Sequence, residues 1–213
     1  MDIRKEPENT REELTDGIVA AEWFMFDKVN NIGGRADCQD DLETFSIMRR
    51  SFFSAFGTDT LALYARDLKN ALEEGRNLIT EKYAYMMEYT SKEYFDRELA
   101  PQLPAISREK SELVDKIADS CTEYEKDFAK RHPVFSRTGR PAAGTEGDIV
   151  SSQVYLTGEL KTYSEETLRS LWDDILKSEN SRDCNMVEKI HESTARAYGY
   201  AGVDEAEKSM SNA

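Results

Sequence analysis

The sequence predicts an all-α protein: a single helical domain over residues 1–213, with about nine helices. Apolar residues recur at helical spacing in one segment after another. Capping residues, Gly and Pro punctuate those segments at helix-like intervals. No stretch keeps the strict two-residue alternation of a half-buried strand.

The elements follow in order. Residues 1–9 are charged and read as a frayed lead-in. Thr10 and Glu13 have the spacing of a capping box, so a helix is expected to run from there to about Asn30. Leu14, Ile18, Met25 and Val29 mark its apolar face, and Gly33-Gly34 is the expected stop. Leu42, Phe45, Met48, Phe52, Phe53 and Phe56 form a second stripe, closed by Gly57. A third helix opens at Thr58-Asp59, carries Leu61, Tyr64, Leu68 and Leu72, and breaks at Gly75. A fourth covers about 77–90, with Ile79, Tyr83, Met86 and Met87 inward. Pro101 and Pro104 make 91–107 irregular. Ser107 caps a long helix over 108–131, and 133–148 reads as the longest loop. Helices over about 149–163, from Ser164 onward, and over about 184–198 complete the count with a short one opened by a capping box at Asp204–Glu207.

Sliding the chain against itself by 107 residues gives a gapless match. Thr60-Leu61 falls on Thr167-Leu168, Asp67 on Asp174, Glu81-Lys82 on Glu188-Lys189 and Phe56 on Tyr163. Two copies of a three-helix unit are therefore expected, about 43–90 and 150–198, joined by 91–149 and related by a pseudo-twofold.

The chain has 42 acidic and 28 basic residues, a net charge of −14. That balance disfavours nucleic acid and anionic membrane surfaces, both of which need clustered Lys and Arg. The three cysteines are far apart and form no Cys-x-x-Cys pair, which argues against a zinc ribbon or disulfide framework. The N-terminus has no apolar signal core and no run of 18 apolar residues occurs, so the cytoplasm is the expected location.

Function is sought where polar residues stand on faces that should be apolar. Glu22 lies in the middle of the Leu14–Val29 face, and Arg49 in the middle of the Phe45–Phe56 face. Through the repeat, Glu159 takes the place of Phe52 and also points inward. His191 sits among Val187, Thr194 and Tyr198. A lone buried charge costs several kcal/mol unless paired. These residues therefore either form a structural ion pair or line a polar pocket between the repeats. In the pocket reading, Glu22, Glu159 and His191 are candidate acid–base groups, and Arg49 holds an anion with its planar fork.

Other motifs are weaker. Glu188-x-x-His191 has the spacing used by di-metal helix bundles, but the repeat copy carries Ala84 where the second histidine belongs. The acidic run Asp37–Asp41 lacks calcium-loop spacing, and Cys38 has no adjacent base. Gly33-Gly34-Arg35 offers backbone N–H groups to an anion, a weak signal. No nucleotide-binding motif is present, and no cofactor is expected.

Five groups of residues carry a resemblance. They are Trp23-Phe24-x-Phe26 with Asn31-x-Gly33-Gly34-Arg35-Ala36-x-Cys38-Gln39-x-Asp41-x-x-Thr44-Phe45-x-Ile47-Met48-Arg49; Gly75-Arg76-Asn77-Leu78-x-Thr80-Glu81-Lys82-Tyr83-Ala84; Gly139-Arg140-Pro141; Tyr155-Leu156-x-Gly158-Glu159-Leu160-x-Thr162-Tyr163-Ser164; and Tyr198-Gly199-Tyr200. Over nearly the whole chain this resembles a bacterial family catalogued as a domain of unknown function, number 4125 in its series. The resemblance implies no named activity. It groups Arg35, Cys38, Gln39, Arg49 and Glu159 with the positions found from the helical faces. The family pattern has a glutamine where this chain has Phe52, and it does not include His191.

The leading expectation is an enzyme acting on a small anionic or zwitterionic metabolite, with Arg49, Arg35, Gln39 and Tyr155 as ligand-binding residues and no metal. The alternatives are a noncatalytic ligand-binding or protein-interaction module and a metal-dependent helical oxidase.

Overall fold

A computed structural model describes residues 10–30, 34–146, 149–180 and 184–212. The expected fray at residues 1–9 and Gly33 of the expected turn lie outside them. The fold is helical. Its segments are α1 (Arg11–Phe26), α2 (Leu42–Phe53), α3 (Thr58–Glu73), α4 (Leu78–Thr90), α5 (Lys92–Tyr94), α6 (Arg108–Arg131), α7 (Pro133–Ser136), α8 (Ser152–Leu160), α9 (Glu165–Asn180), α10 (Met186–Ala197) and α11 (Val203–Ser211). None of the described helices is long and apolar enough to cross a membrane.

There are eleven described helices rather than about nine, because two short ones occupy expected loops. The 91–107 stretch is a chain of single turns, with a π-type turn at Phe95–Leu99 and a 3-10 turn at Ala100–Gln102, and Phe95 is buried. In α7, Pro133 takes the first helical position, where its missing N–H costs nothing. The expected 133–148 loop also contains a minimal antiparallel pairing, Thr145–Glu146 with Ile149–Val150.

Several helix starts form as their sequences demand. Thr10 and Glu13 make the reciprocal capping box of α1. Ser107 Oγ accepts from Lys110 N at the start of α6, and Ser164 Oγ accepts from Thr167 N at the start of α9. Helix α1 stops at Phe26, four residues before the expected end, in 3-10-type turns from Lys28 and Val29. The capping box expected at Asp204–Glu207 does not form; Gly202 precedes α11 without a side-chain cap. Glu207 is drawn elsewhere: its carboxylate accepts from Val134 N and Phe135 N, the free donors at the start of α7.

Helices α3 and α9 cross at the centre and bury Leu61, Leu68, Leu168, Leu171 and Ile175 almost completely. Each such side chain contributes roughly 1.5–3 kcal/mol by leaving water. Helix α1 covers α2, α3 and α4, while α6 covers α8, α9 and α10. Across the middle, α2 packs on α10 and α4 on α8. Gly158 makes the α4–α8 approach possible: a Cβ there would stand 2.7 Å from Met86 Cγ and 2.9 Å from the Lys82 carbonyl oxygen.

Candidate functional site

The α1, α2, α4 and α8 faces bring four charges together inside the protein. Glu22 is fully buried on α1, Arg49 is 8% exposed on α2, Lys82 is 3% exposed on α4 and Glu159 is 3% exposed on α8. Arg49 lies between the two carboxylates and bonds both. Its Nε and Nη2 donate to Glu22 Oε2 and Oε1, each at 2.6 Å. Its Nη2 and Nη1 donate to Glu159 Oε1 at 2.7 Å and Oε2 at 3.1 Å. Lys82 Nζ donates to Glu159 Oε2 at 2.6 Å. Two buried tyrosines complete the shell: Tyr64 donates to Glu22 Oε1 at 2.7 Å, and Tyr163 to Glu159 Oε1 at 2.9 Å. The rings of Phe52 and Phe53 stack on the guanidinium, with centroids 4.8 and 4.7 Å away.

Two positive and two negative charges make this cluster neutral, and its hydrogen bonds offset much of the cost of leaving water. Burial opposes the Arg49 charge, but Glu159 and Glu22 outweigh it and push its pKa well above the ordinary value. Burial also favours a protonated Glu159, yet Arg49 and then Lys82 hold its carboxyl far below the usual carboxylate range. Burial first, then the neighbouring carboxylates, raise Tyr64 and Tyr163 well above ordinary tyrosine values, which keeps both as donors.

Beside the cluster lies a cleft of about 1290 Å³ between α2, α6, α8, α10 and the 133–142 segment. Arg49, Glu159 and Tyr155 stand on its wall together with His191, Glu125 and Arg140. Lys82 Nζ sits 3.5 Å from the Tyr155 ring centroid, and the Arg140 guanidinium 4.7 Å from it. The Lys82 charge, stronger than burial, lowers the Tyr155 pKa below the ordinary value. Elsewhere on the wall, His191 Nε2 faces Glu125 Oε2 at 3.0 Å, and its ring stacks on Phe128 with centroids 4.1 Å apart.

The structure separates the sequence-derived candidates. Glu22 belongs to the cluster, but it does not line the cleft, and both its oxygens are occupied. Arg35 and Gln39 stand at the start of α2, away from the cleft. Arg35 pairs with Asp27 and Asp40 on the surface. Gln39 is buried; its Nε2 donates to the carbonyls of Phe26 and Val29 and its Oε1 accepts from Ala36 N, so it pins the end of α1 to the turn before α2. Glu188 pairs with Arg131, and not with His191. Among the described residues no group of three or more His, Cys, Asp and Glu side chains is arranged to hold a metal ion. Burial pushes the Cys121 thiol up to about 12 and the Cys184 thiol to about 11, so neither is an activated nucleophile.

Three residues of the cluster escaped the sequence reading. Lys82 falls between Ile79 and Met86 on the inward face of α4, three residues after one and four before the other, so its spacing held the signal. Tyr64 and Tyr163 read as core aromatics, and their hydroxyl partners become visible only when the helices are assembled.

A model of the family described as protein of unknown function DUF4125 matches residues 12–208. The chain belongs to that family. The matched span of this DUF4125 member contains all six residues of the charge cluster and the whole wall of the cleft apart from Met210. No curated protein and no solved structure matches the chain.

Proposed function

We propose that this DUF4125 member is an enzyme that binds a small anionic or zwitterionic metabolite in the cleft. The observation that supports this most is a neutral, hydrogen-bonded charge cluster that sets Arg49 and Glu159 on the wall of a large cleft, which also carries an arginine, a tyrosine and a carboxylate-paired histidine. Arg49 has four of its five N–H groups committed to Glu22 and Glu159, so it acts chiefly as the keystone of that wall. Arg140, over the Tyr155 ring and with one N–H donated to the Val150 carbonyl, meets the ligand's negative charge, with Arg137 a further arginine on the wall. Glu159 acts as a fixed charge, since its low pKa makes it a poor proton carrier. The apolar parts of the wall, Met48, Phe52, Leu156 and Ile190, suit a ligand with a hydrocarbon body. The protein's location is taken as cytoplasmic, and its net charge of −14 argues against nucleic acid as partner.

A thermal-shift series with citrate, inorganic phosphate and single amino acids tests this. A ligand at one hundred times its Kd stabilises by about 2.7 kcal/mol, which for a chain of this size raises Tm by about 5–10 °C. Arg140→Met should remove the shift. The reading fails if no compound moves Tm, or if Arg140→Met responds like the wild type.

We also infer that α2–α4 and α8–α10 are two copies of one unit. Gly57 N and Thr60 Oγ1 donate to Asp174 Oδ2 at 2.7 and 2.5 Å. Ser164 N and Thr167 Oγ1 donate to Asp67 Oδ2 at 2.9 and 2.6 Å. Each residue of one set is 107 positions from its counterpart in the other, as a pseudo-twofold requires. Superposition of the two units in a crystal structure tests this; a fit no better than that of unrelated helix triplets would end it.

A further inference from the structure

We infer that Glu125 and His191 are the proton-transfer pair of the cleft, with His191 as the base that meets the ligand and Glu125 as its positioning residue. This rests on the reading of the cleft as a ligand site. The two side chains come from different helices, α6 and α10, and meet at 3.0 Å while both line the cleft. They are partly open, His191 at 22% and Glu125 at 26% side-chain exposure, so the pair is reachable from the cleft.

The geometry sets the tautomer. An ionised carboxylate can only accept, so the ring nitrogen facing Glu125 carries the hydrogen. In the neutral ring the lone pair is then on Nδ1, which has no hydrogen-bond partner among the described residues. The remaining ring contacts of His191 are apolar: Phe128 stacks on one face and Phe135 meets the ring edge-on at 5.7 Å between centroids. These rings fix its orientation without competing for the lone pair.

The step is a proton transfer. The Nδ1 lone pair takes the proton of a ligand hydroxyl or of a water beside it, and the electron pair of that O–H bond stays on oxygen as the nucleophile. The ring becomes imidazolium, its positive charge facing the Glu125 carboxylate, and the proton returns to the ligand or to water when the ring is reset. No electrons are exchanged with any other group. The arrangement has a base and an orienting carboxylate in hydrogen-bond contact, as acid–base catalysis requires.

The test is ring-nitrogen NMR of the full-length protein, with His132→Gln used to assign the signals of the two histidines. Expected for His191 are the Nε2–H tautomer in the neutral ring and loss of that preference in Glu125→Leu, which removes the acceptor. A structural pair would share both features, so the ligand arm decides the role: citrate, the anion probe, should move the His191 Nδ1 signal. An Nδ1–H tautomer overturns the inference. So does citrate that raises Tm but leaves the His191 signals in place. If citrate and the other anions leave Tm unmoved, the cleft reading itself fails, and the tautomer arm still decides whether Glu125 positions the ring. Should Glu125→Leu not fold, the wild-type tautomer and the citrate arm decide by themselves.

Discussion

Arg49 illustrates why a buried charge is a matter of partners rather than of cost alone. It is the common partner of Glu22 and Glu159, so its loss leaves two buried carboxylates facing each other. Arg49→Met should therefore cost about 3–5 kcal/mol in urea unfolding, the range for breaking a buried pair from one side. A loss below about 1 kcal/mol would mean that the carboxylates find other cations or protonate at no cost. The cluster also sets an acid limit. Glu159 has a folded-state pKa far below its ordinary 4.5. Its contribution is complete above that ordinary value and drains away as the pH falls beneath it, because the unfolded chain takes up the proton first. Stability measured from pH 7 downward should stay level in this respect to about 4.5 and then fall; in Glu159→Gln that part of the acid slope should be absent. Glu22 and Arg49 were legible in the sequence because each interrupts an apolar stripe, and Glu159 because the 107-residue offset sets it on Phe52. Lys82 interrupts one too, but a lysine between Ile79 and Met86 is ordinarily read as lying at the edge of the face, its amine in water. The contact between Glu125 and His191 joins residues 66 apart in sequence, and no spacing rule links them.

At the scale of elements, the helices and most of their ends follow from local rules, and the departures have tertiary causes. Glu207 leaves its own helix to bind the first turn of α7, a choice set by which free donors stand nearby. The same rule operates between α3 and α9, where each helix start is satisfied by an aspartate from the other. Asp67→Ala and Asp174→Ala should each cost about 1–3 kcal/mol, since each strands one backbone donor and one hydroxyl. On the proposed repeat the two losses should be alike. A loss at one site more than about 1 kcal/mol greater than at the other, in chemical denaturation, would argue against equivalence. The close approach of α4 and α8 gives a sharper case. Gly158→Ala places a methyl group 2.9 Å from the Lys82 carbonyl oxygen, backbone that cannot swing aside. It should cost about 1–3 kcal/mol as overpacking does, and a neutral result would show that the helices can part freely. This glycine is plain in the sequence, but its purpose is not, because nothing local says that α8 meets α4.

The whole molecule inherits its cooperativity from those crossings. Each half has a covering helix of its own, α1 for α2–α4 and α6 for α8–α10, which makes the halves look self-sufficient. The charge cluster contradicts that appearance. Glu22, Arg49 and Lys82 belong to the first half and Glu159 to the second, so separation would expose one excess positive charge and one lone carboxylate where apolar surface is also exposed. Helix α2 would lose α10, and α4 would lose α8. Neither half should then hold a packed core alone. Cutting the exposed connection before α6 between Pro104 and Ala105 gives fragments 1–104 and 105–213. Each should lack a sharp thermal transition, and mixing them should restore helical circular dichroism and a cooperative melt. Either fragment melting cooperatively by itself would show that its core closes without the other half, and the cluster would then be a latch between two finished units rather than part of the fold's nucleus. Complementation that is restored in Lys82→Met but lost in Arg49→Met would place the essential link at the guanidinium, which is bonded to carboxylates from both halves.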